Sequence, residues 1–507
     1  MLTTIEIASV LLALPAAAAA VLAQVELWQR KEYRLDRMWP ALRGPELRPR
    51  LLVYAALLLF VISGFSAVMI ALAAADRAWI ALRRGVLRPR STVKAAVVVA
   101  LAATLTLLAI FLSVYSAGLI KALAISNLFV PLAAALSVAT ANSLGAVRQR
   151  ADIQRAERLR RSLPHLTVVG ITGSYGKTST KHFLAQLLPH AVASRAHRNS
   201  EFSIALDMLE QLSGKSSIYI VEMAAYRRGE IAALTRLAQP RLGVITAIGN
   251  QHLATFGSQE NIIKAKLELI DALPNDGIAV LNADDEALAK FSCPQRIIWY
   301  SARRAADVYV DAITVQDRII RCRLYVGSES QPAAIPLAGR GALYNVLAAT
   351  AAAHAYGAAS ADIFKRVQQL KPFPRTMEIY AGISGATVID DSYSANERGV
   401  LDAIEHLALF PQRDKRVALV PLLELGAESA PAHRRIGQAL KKSIAAVYVF
   451  GRAFRRELGA HDADKIRVFT SPEAMAAALA SDAGQETVIL LEGRLPELVR
   501  RAVLKTG

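Results

Sequence analysis

The stretch Gly170-Ile171-Thr172-Gly173-Ser174-Tyr175-Gly176-Lys177-Thr178-Ser179-Thr180 constrains the fold of this chain more than any other. Before it, Leu166 to Ile171 is a short apolar run rich in β-branched residues; after it, Lys181 to Leu188 reads as the first turns of a helix. A glycine loop between a strand and a helix is a phosphate cradle. Glycines let backbone N–H groups wrap the anion without a Cβ in the way, and the helix N-terminus favours negative charge. Gly173, Ser174, Gly176, Lys177, Thr178 and Ser179 are therefore expected to hold nucleotide phosphates, with Lys177 neutralising charge and the Thr178 hydroxyl on Mg²⁺. The usual P-loop spacing puts a glycine where this chain has Ile171, so the match is to a shorter Gly-x-x-Gly-Lys-Thr pattern, and an ordinary glycine turn is the bland alternative.

Downstream, short apolar strands alternate with helical patterns, which predicts parallel βαβ units. Ser217 to Met223 reads as a buried strand carrying Glu222 near its end, and Arg241 to Ile248 as another, followed by Gly249-Asn250-Gln251-His252. In an open parallel sheet, ligands bind at the carboxyl ends of the strands, where a carboxylate and an imidazole can meet the metal held by Thr178. Ile262 to Ile270 is helical and carries Lys264 and Lys266, which point to different sides. Leu281-Asn282-Ala283-Asp284-Asp285 closes a further strand.

The first third of the chain has a different composition. Four apolar stretches, Leu11 to Leu22 with its flanks, Leu51 to Ala75, Ala95 to Ser116 and Ala122 to Ala141, approach or reach the length that crosses about 30 Å of hydrocarbon. Of the net charge of +18, residues 1–165 carry +12, with 20 Lys and Arg against 8 Asp and Glu. These basic residues cluster at 30–50, 77–90 and 148–161, beside the apolar stretches; the run Arg155 to Arg161, directly after an apolar span, points to anionic headgroups rather than to nucleic acid. An integral protein of the cytoplasmic membrane follows, its catalytic part in the cytoplasm. Four crossings with both ends inside are favoured over a re-entrant hairpin turning near Ser63-Gly64. Cys293 and Cys322 form neither a disulfide framework nor a CxxC metal knuckle.

Seven ordered motifs carry a resemblance. The glycine loop, VEMAAYRRGEIA at 221–232, GNQHLATFGS at 249–258, IIKAKLELI at 262–270, GIAVLNADD at 277–285, GRGALYNVLAA at 339–349 and DDSYSANERG at 390–399 resemble the Mur ligase family. Within the family the chain is most similar to the branch that adds D-alanyl-D-alanine to a muramyl tripeptide, and the similarity covers about 166–507. The apolar and basic stretches imply a helical membrane region (1–145) and a basic juxtamembrane linker (146–164), and the resemblance implies a central α/β ATPase domain (165–370) and a Rossmann-like α/β ligase domain (371–507). The resemblance also implies an ATP- and Mg²⁺-dependent ligase that joins an amino acid or short peptide amine to a cell-envelope peptide through an acyl phosphate; the apolar stretches point to a lipid-linked form of that acceptor.

Residue by residue, the resemblance implies Lys177, Glu222, His252 and Lys266 as catalytic, and Thr178, Glu222, His252 and Lys266 around metal, with Lys266 carrying a carbamate. Asn282 and Asn345 match positions that hold adenine, and Arg375 and Asp391 match positions near the phosphates and ribose. Glu424-Leu425-Gly426 and His433 resemble the Glu-Leu-Gly and following His of the D-alanyl-D-alanine-adding branch. Two motifs depart from it. Ser394-Ala395-Asn396-Glu397 stands for Asn-Ala-Asn-Pro, and Glu492-Gly493-Arg494-Leu495 stands for Lys-Gly-Ser-Arg, which leaves the amine open. Apolar stretches also take the place of the family's UDP-sugar-binding domain. A polyglutamate-synthase-like ligase and a nucleotide-binding scaffold without catalysis are the alternatives; the retained phosphate and metal set argues against the scaffold.

Overall fold

The computed structural model describes residues 4–30, 33, 89, 91–117, 119–249, 253–316, 319–393, 395–422, 425, 428–441, 444–451, 453–459 and 464–505. The apolar stretch Leu51 to Ala75 and the basic residues of 34–50 and 77–88 lie outside them. The chain divides into two compact units, Met1–Ala151 and Asp152–Gly507.

The described residues of the first unit are mostly helical. Helices α1 (Thr4–Arg30), α2 (Val93–Ala117) and the apolar part of α3 (Leu119–Arg161) bury Ala20, Val25, Val98, Ala102, Val130 and Ala134 in a core of mostly small residues. Three segments, Val10–Gln29, Val93–Val114 and Phe129–Arg161, are long and apolar enough to cross a membrane by length and composition.

The second unit contains two sheets. The nine-stranded sheet has the order β2-β3-β1-β4-β5-β6-β7-β8-β9. Its parallel part is β1 (Thr167–Thr172), β2 (Val192–Ala193), β3 (Ile218–Glu222), β4 (Leu242–Ile245), β5 (Ile278–Asn282) and β6 (Arg296–Ser301). Strands β1, β3, β4 and β5 are buried nearly throughout because helices cover both faces, hence their unbroken apolar sequences. The covering helices include α4 (Lys177–Leu187), α5 (Glu201–Gln211), α6 (Glu230–Ala238), a short α7 (Leu253–Phe256), α8 (Gln259–Asp271), α9 (Arg340–Tyr356) and α10 (Ser360–Val367). The sheet departs from an all-parallel expectation at one edge. Strands β7 (Val308–Gln316), β8 (Ile319–Val326) and β9 (Glu329–Ile335) form an antiparallel meander. Along β8, Ile320, Cys322, Leu324 and Val326 are buried while Arg321 and Arg323 between them are exposed, the alternation of a strand with one wet face.

The second sheet has the order β10-β11-β15-β12-β13-β14. Its β10 (Glu378–Ala381) is antiparallel to β11 (Thr387–Asp391), and the other neighbours, β12 (Asp414–Leu419), β13 (Ala446–Phe450), β14 (Ile466–Phe469) and β15 (Thr487–Glu492), run parallel. Helices α11 (Glu397–Ala408), α12 (Ser429–Lys441), α13 (Arg455–Leu458), α14 (Pro472–Ser481) and α15 (Glu497–Val503) flank it.

One basic residue read as facing headgroups is otherwise engaged. Arg160 is 6% exposed, and its guanidinium donates to the carbonyls of Ala238 at 2.9 Å, Leu163 at 2.9 Å and Leu166 at 3.3 Å. Ala238 ends α6, where carbonyls lack helical partners, so this cation caps a helix of the nucleotide domain. Arg155, Arg158 and Arg161 remain exposed.

Candidate active site

The glycine loop sits between β1 and α4 at the carboxyl edge of the parallel sheet. Gly173 (φ 144°) and Gly176 (φ 79°) adopt backbone conformations that disfavour a Cβ, and space forbids one as well. A Cβ on Gly173 would lie 2.0 Å from Thr246 Oγ1, and one on Gly176 would lie 2.1 Å from Asn345 Oδ1. Ser174 is tied to the end of β4: its amide donates to Ala247 O at 2.8 Å, and its Oγ accepts from Gly249 N at 2.9 Å. Ser179 and Thr180, in the first turn of α4, are buried.

Lys177 Nζ donates to Gly173 O at 2.7 Å and Ser174 O at 3.3 Å, so the ammonium lies along the loop where phosphate oxygens would compete for it. Burial pulls its pKa down, opposed by the charge of Glu222. The Thr178 hydroxyl donates to Glu222 Oε2 at 3.0 Å. A hydroxyl and a carboxylate are hard oxygen donors, and Mg²⁺ is commonly bound by one or two such groups with water and phosphate completing the shell. The residues present therefore fit the metal. Among the described residues no three His, Cys, Asp or Glu side chains gather into a metal cluster. His252 lies outside the described residues.

Lys181, one turn along α4 from Lys177, is 5% exposed; its Nζ stands 3.3 Å from Glu222 Oε2 and 3.3 Å from Ser194 Oγ. Glu222 thus faces a hydroxyl and a buried ammonium. Sequence reading treated Lys181 only as the start of a helix; the signal was its i,i+4 spacing from Lys177, which puts both lysines on one side of α4. Tyr393, from the loop after β11, also comes close to Thr178 and Glu222, and burial raises its pKa.

Lys266 is 3% exposed, on the same stripe of α8 as buried Ile262 and Ile270. Burial, reinforced by the Lys177 ammonium, pushes its pKa down to about 7. A group with that pKa is half neutral near pH 7, and a neutral amine reacts with CO₂. Lys264 is on another side of α8, ion-paired with Glu260 at 2.6 Å.

Asn282 ends β5, 4% exposed, and its Oδ1 accepts from Asp284 N at 3.0 Å. Asp284 in turn receives Ser301 Oγ at 2.7 Å and the Tyr344 hydroxyl at 3.1 Å, joining this turn to α9 beside Asn345. Asp391 ends β11 and accepts from Met377 N at 3.2 Å. Arg375, with a left-handed φ of 61°, is paired with Glu497 at 3.0 Å. Glu424 and Gly426 lie outside the described residues. His433 is fully buried: its Nε2 accepts from Leu422 N at 3.0 Å and its Nδ1 donates to Ser429 O at 2.6 Å, which assigns the tautomer.

Residues 171–353 match the Mur ligase middle domain, and residues 376–495 match the Mur ligase glutamate ligase domain. The UDP-N-acetylmuramoyl-tripeptide–D-alanyl-D-alanine ligase of Escherichia coli K12 is 30% identical over 317 residues, covering 60% of this chain and 70% of that one. The chain belongs to the Mur ligase family. The enzyme of the same name from Mycobacterium bovis is 34% identical over 300 residues, which cover 56% of this chain, so the chain spans 58% of that relative's length. The structure of the MurF ligase of Thermotoga maritima in complex with ADP superposes with a TM-score of 0.63 at 26% identity, covering 70% of this chain and 84% of that one. Mur ligases use ATP and Mg²⁺ and are ATP-dependent ligases, in agreement with the expected cofactors and enzyme class. The two α/β domains agree with the expected fold class, while the helical anchor is supported by apolar length and composition alone.

The expected localisation requires correction. The chain's relatives are soluble cytoplasmic ligases, which contradicts an integral protein of the cytoplasmic membrane. The expectation rested on apolar length and composition alone; the helices of the first unit bury a small core of their own while leaving Leu11, Leu107, Phe111 and Leu112 exposed.

Proposed function

We propose that this chain is an ATP-dependent carboxylate–amine ligase acting on a cell-envelope peptide precursor, as its D-alanyl-D-alanine-adding relatives are named for doing. The observation that carries the reading is the meeting of Lys177, Thr178 and Glu222 at one glycine loop at the carboxyl edge of the sheet, with buried Lys266 near enough for the Lys177 ammonium to act on it. The loop amides and Lys177 hold the triphosphate and neutralise charge as the γ-phosphoryl group passes to the peptide carboxylate. Thr178 and Glu222 would hold Mg²⁺, which supplies further charge stabilisation to the transferring phosphoryl group. Asn282 and Asn345 have amides that suit adenine, offering a donor and an acceptor each. Arg375 and Asp391 are assigned to the phosphate and ribose side, and His252 to the metal beside Glu222. Transfer breaks the bond to ADP and forms the acyl phosphate; the amine then attacks the acyl carbon, phosphate departs and the amine loses a proton.

The finer reading of the acceptor is a lipid-linked peptide. It is supported by residues 1–151, an apolar helical unit outside both matched spans, because a long hydrocarbon carrier needs apolar surface. The test measures ADP release with D-alanyl-D-alanine and either UDP-N-acetylmuramoyl-tripeptide or its lipid-linked form, with mass spectrometry of the products. Acceptor-dependent ADP release with a new amide is expected, faster with the lipid-linked peptide. ADP release without a new amide, or none with any acceptor, overturns the ligase reading.

A further inference from the structure

Asp391 and Glu492 end the neighbouring parallel strands β11 and β15 in direct register, at the carboxyl edge of the second sheet. Glu492 is 1% exposed, and among the described residues its oxygens meet no hydrogen-bonding group other than the neighbouring Asp391 carboxyl, with which it can share a proton. Its neighbour is a second carboxyl. Burial and the Asp391 charge push Glu492 well above the carboxylate range, and burial pushes Asp391 up to about 7. Two adjacent buried carboxyls without a cation share one proton, whereas a cation lets both ionise.

Among the described residues, two arginines at this end of the sheet are engaged elsewhere and a third faces solvent. Arg500 pairs with Asp390 at 3.2 Å and with Glu497 at 2.8 Å, Arg375 pairs with Glu497, and Arg494 is exposed. Glu492 lines a small cavity whose walls include Val400, Leu419, Leu422, Ile436 and His433. His433 donates its one N–H to Ser429 and receives the Leu422 amide on its other nitrogen, so it offers the cavity no donor. The group that satisfies such a place is compact, positively charged, rich in donors and carried on an apolar stem.

We propose that Glu492 is a recognition site for a primary ammonium group on the amine substrate, distinct from the amine that reacts. A reacting amine must be neutral to attack an acyl phosphate, so a carboxylate that holds a charged ammonium serves specificity. A buried glutamate selects a cationic end over an anionic one. The inference rests on the ligase reading for the identity of its ligand as a substrate.

The experiment compares two amines with the full-length protein, ATP and UDP-N-acetylmuramoyl-tripeptide: D-alanyl-D-alanine, and the aminoethyl amide of D-alanine, which replaces the terminal carboxylate by an ammonium. For the wild type, kcat/KM is expected to favour the cationic amine at least about tenfold, carried mainly by KM; Glu492→Gln removes the preference and Glu492→Lys reverses it. In parallel, ethylammonium chloride is titrated against the wild type and Glu492→Gln, with thermal stabilisation read over equal sodium chloride. Stabilisation of the wild type alone is expected. Equal use of the two amines, or a preference that Glu492→Gln leaves intact, overturns this inference while the ligase stands. If neither amine supports ADP release the ligase reading fails, and the ethylammonium titration alone decides: stabilisation lost in Glu492→Gln supports the site, and its absence in the wild type refutes it.

Discussion

The hydroxyl of Thr178 donates to Glu222 at 3.0 Å, linking the first turn of the helix after the glycine loop to the end of a strand 44 residues further along the chain. The adjacency of β1 and β3 in the parallel sheet makes the contact possible, since Ile171 and Glu222 are register partners. Lys181 Nζ stands 3.3 Å from the same Glu222 oxygen. The carboxylate is thus oriented before any metal arrives, which lowers the cost of assembling the nucleotide site.

Lys177→Ala removes the ammonium from the phosphate cradle. ADP release is expected to fall by at least about a hundredfold, on the scale of other preorganised charge deletions. Steady-state kinetics with saturating acceptor checks it. Undiminished turnover would remove Lys177 from the phosphate site.

Gly176→Ala places a methyl group against Asn345 at a φ of 79°. The left-handed conformation alone costs about 1–2 kcal/mol, and the 2.1 Å approach forces the loop or α9 to move. ATP affinity, measured by calorimetric titration, is expected to weaken more than tenfold, about 1.4 kcal/mol or more. Unchanged affinity would show that the loop does not contact phosphate at this glycine.

Glu268 provides a prediction about stability. Its carboxylate accepts the amides of Gly229 at 2.7 Å and Ala232 at 3.0 Å, capping α6 from α8, while the helix's own N-cap, Gly229, has no side chain to do so. Glu268→Ala is expected to cost about 1–2 kcal/mol, the range of a lost cap. Urea unfolding should show a lower midpoint with the same slope. A change under about 0.3 kcal/mol would mean that water replaces the cap fully.

Much of the site is legible in the chain because each of its parts obeys a local rule. The glycines, Lys177 and Thr178 are contiguous; Glu222 and Asn282 sit where apolar runs end, which is where parallel strands present ligand groups. The burial of Lys266 follows from helical periodicity, since Ile262 and Ile270 flank it four residues away on each side. Lys181 is marked only by its i,i+4 spacing from Lys177, since its approach to Glu222 arises from the adjacency of two strands. Tyr393 is not legible as part of the site, because it comes to this corner from more than two hundred residues away and leaves no periodic trace. The antiparallel edge β7–β9 is written in the alternation of β8, which the expectation of uniform βαβ units overrode.

Lys266 joins burial to chemistry and to pH. Its pKa of about 7 in the folded protein lies below the ordinary 10.5, with burial as the main cause and the Lys177 ammonium second. Between these values the unfolded chain binds more protons at this position than the folded one, so the lysine's penalty on stability is full below about 7 and is relieved as pH rises towards 10.5. The neutral amine that attacks CO₂ also grows through pH 7, and carbamate formation releases a proton, so both effects have the same sign. Incubation with ¹³C-bicarbonate is expected to give a lysine carbamate signal that strengthens from about pH 6 to about pH 8 and is absent in Lys266→Ala. In that variant ADP release should fall at least about a hundredfold and recover in part with acetate or formate, because a small free carboxylate can occupy the carbamate's place beside the metal. A Lys266→Ala variant that binds ATP normally and is not rescued, together with a wild type that takes no label at any pH, would leave Lys266 as a buried neutral amine and the carbamate without support.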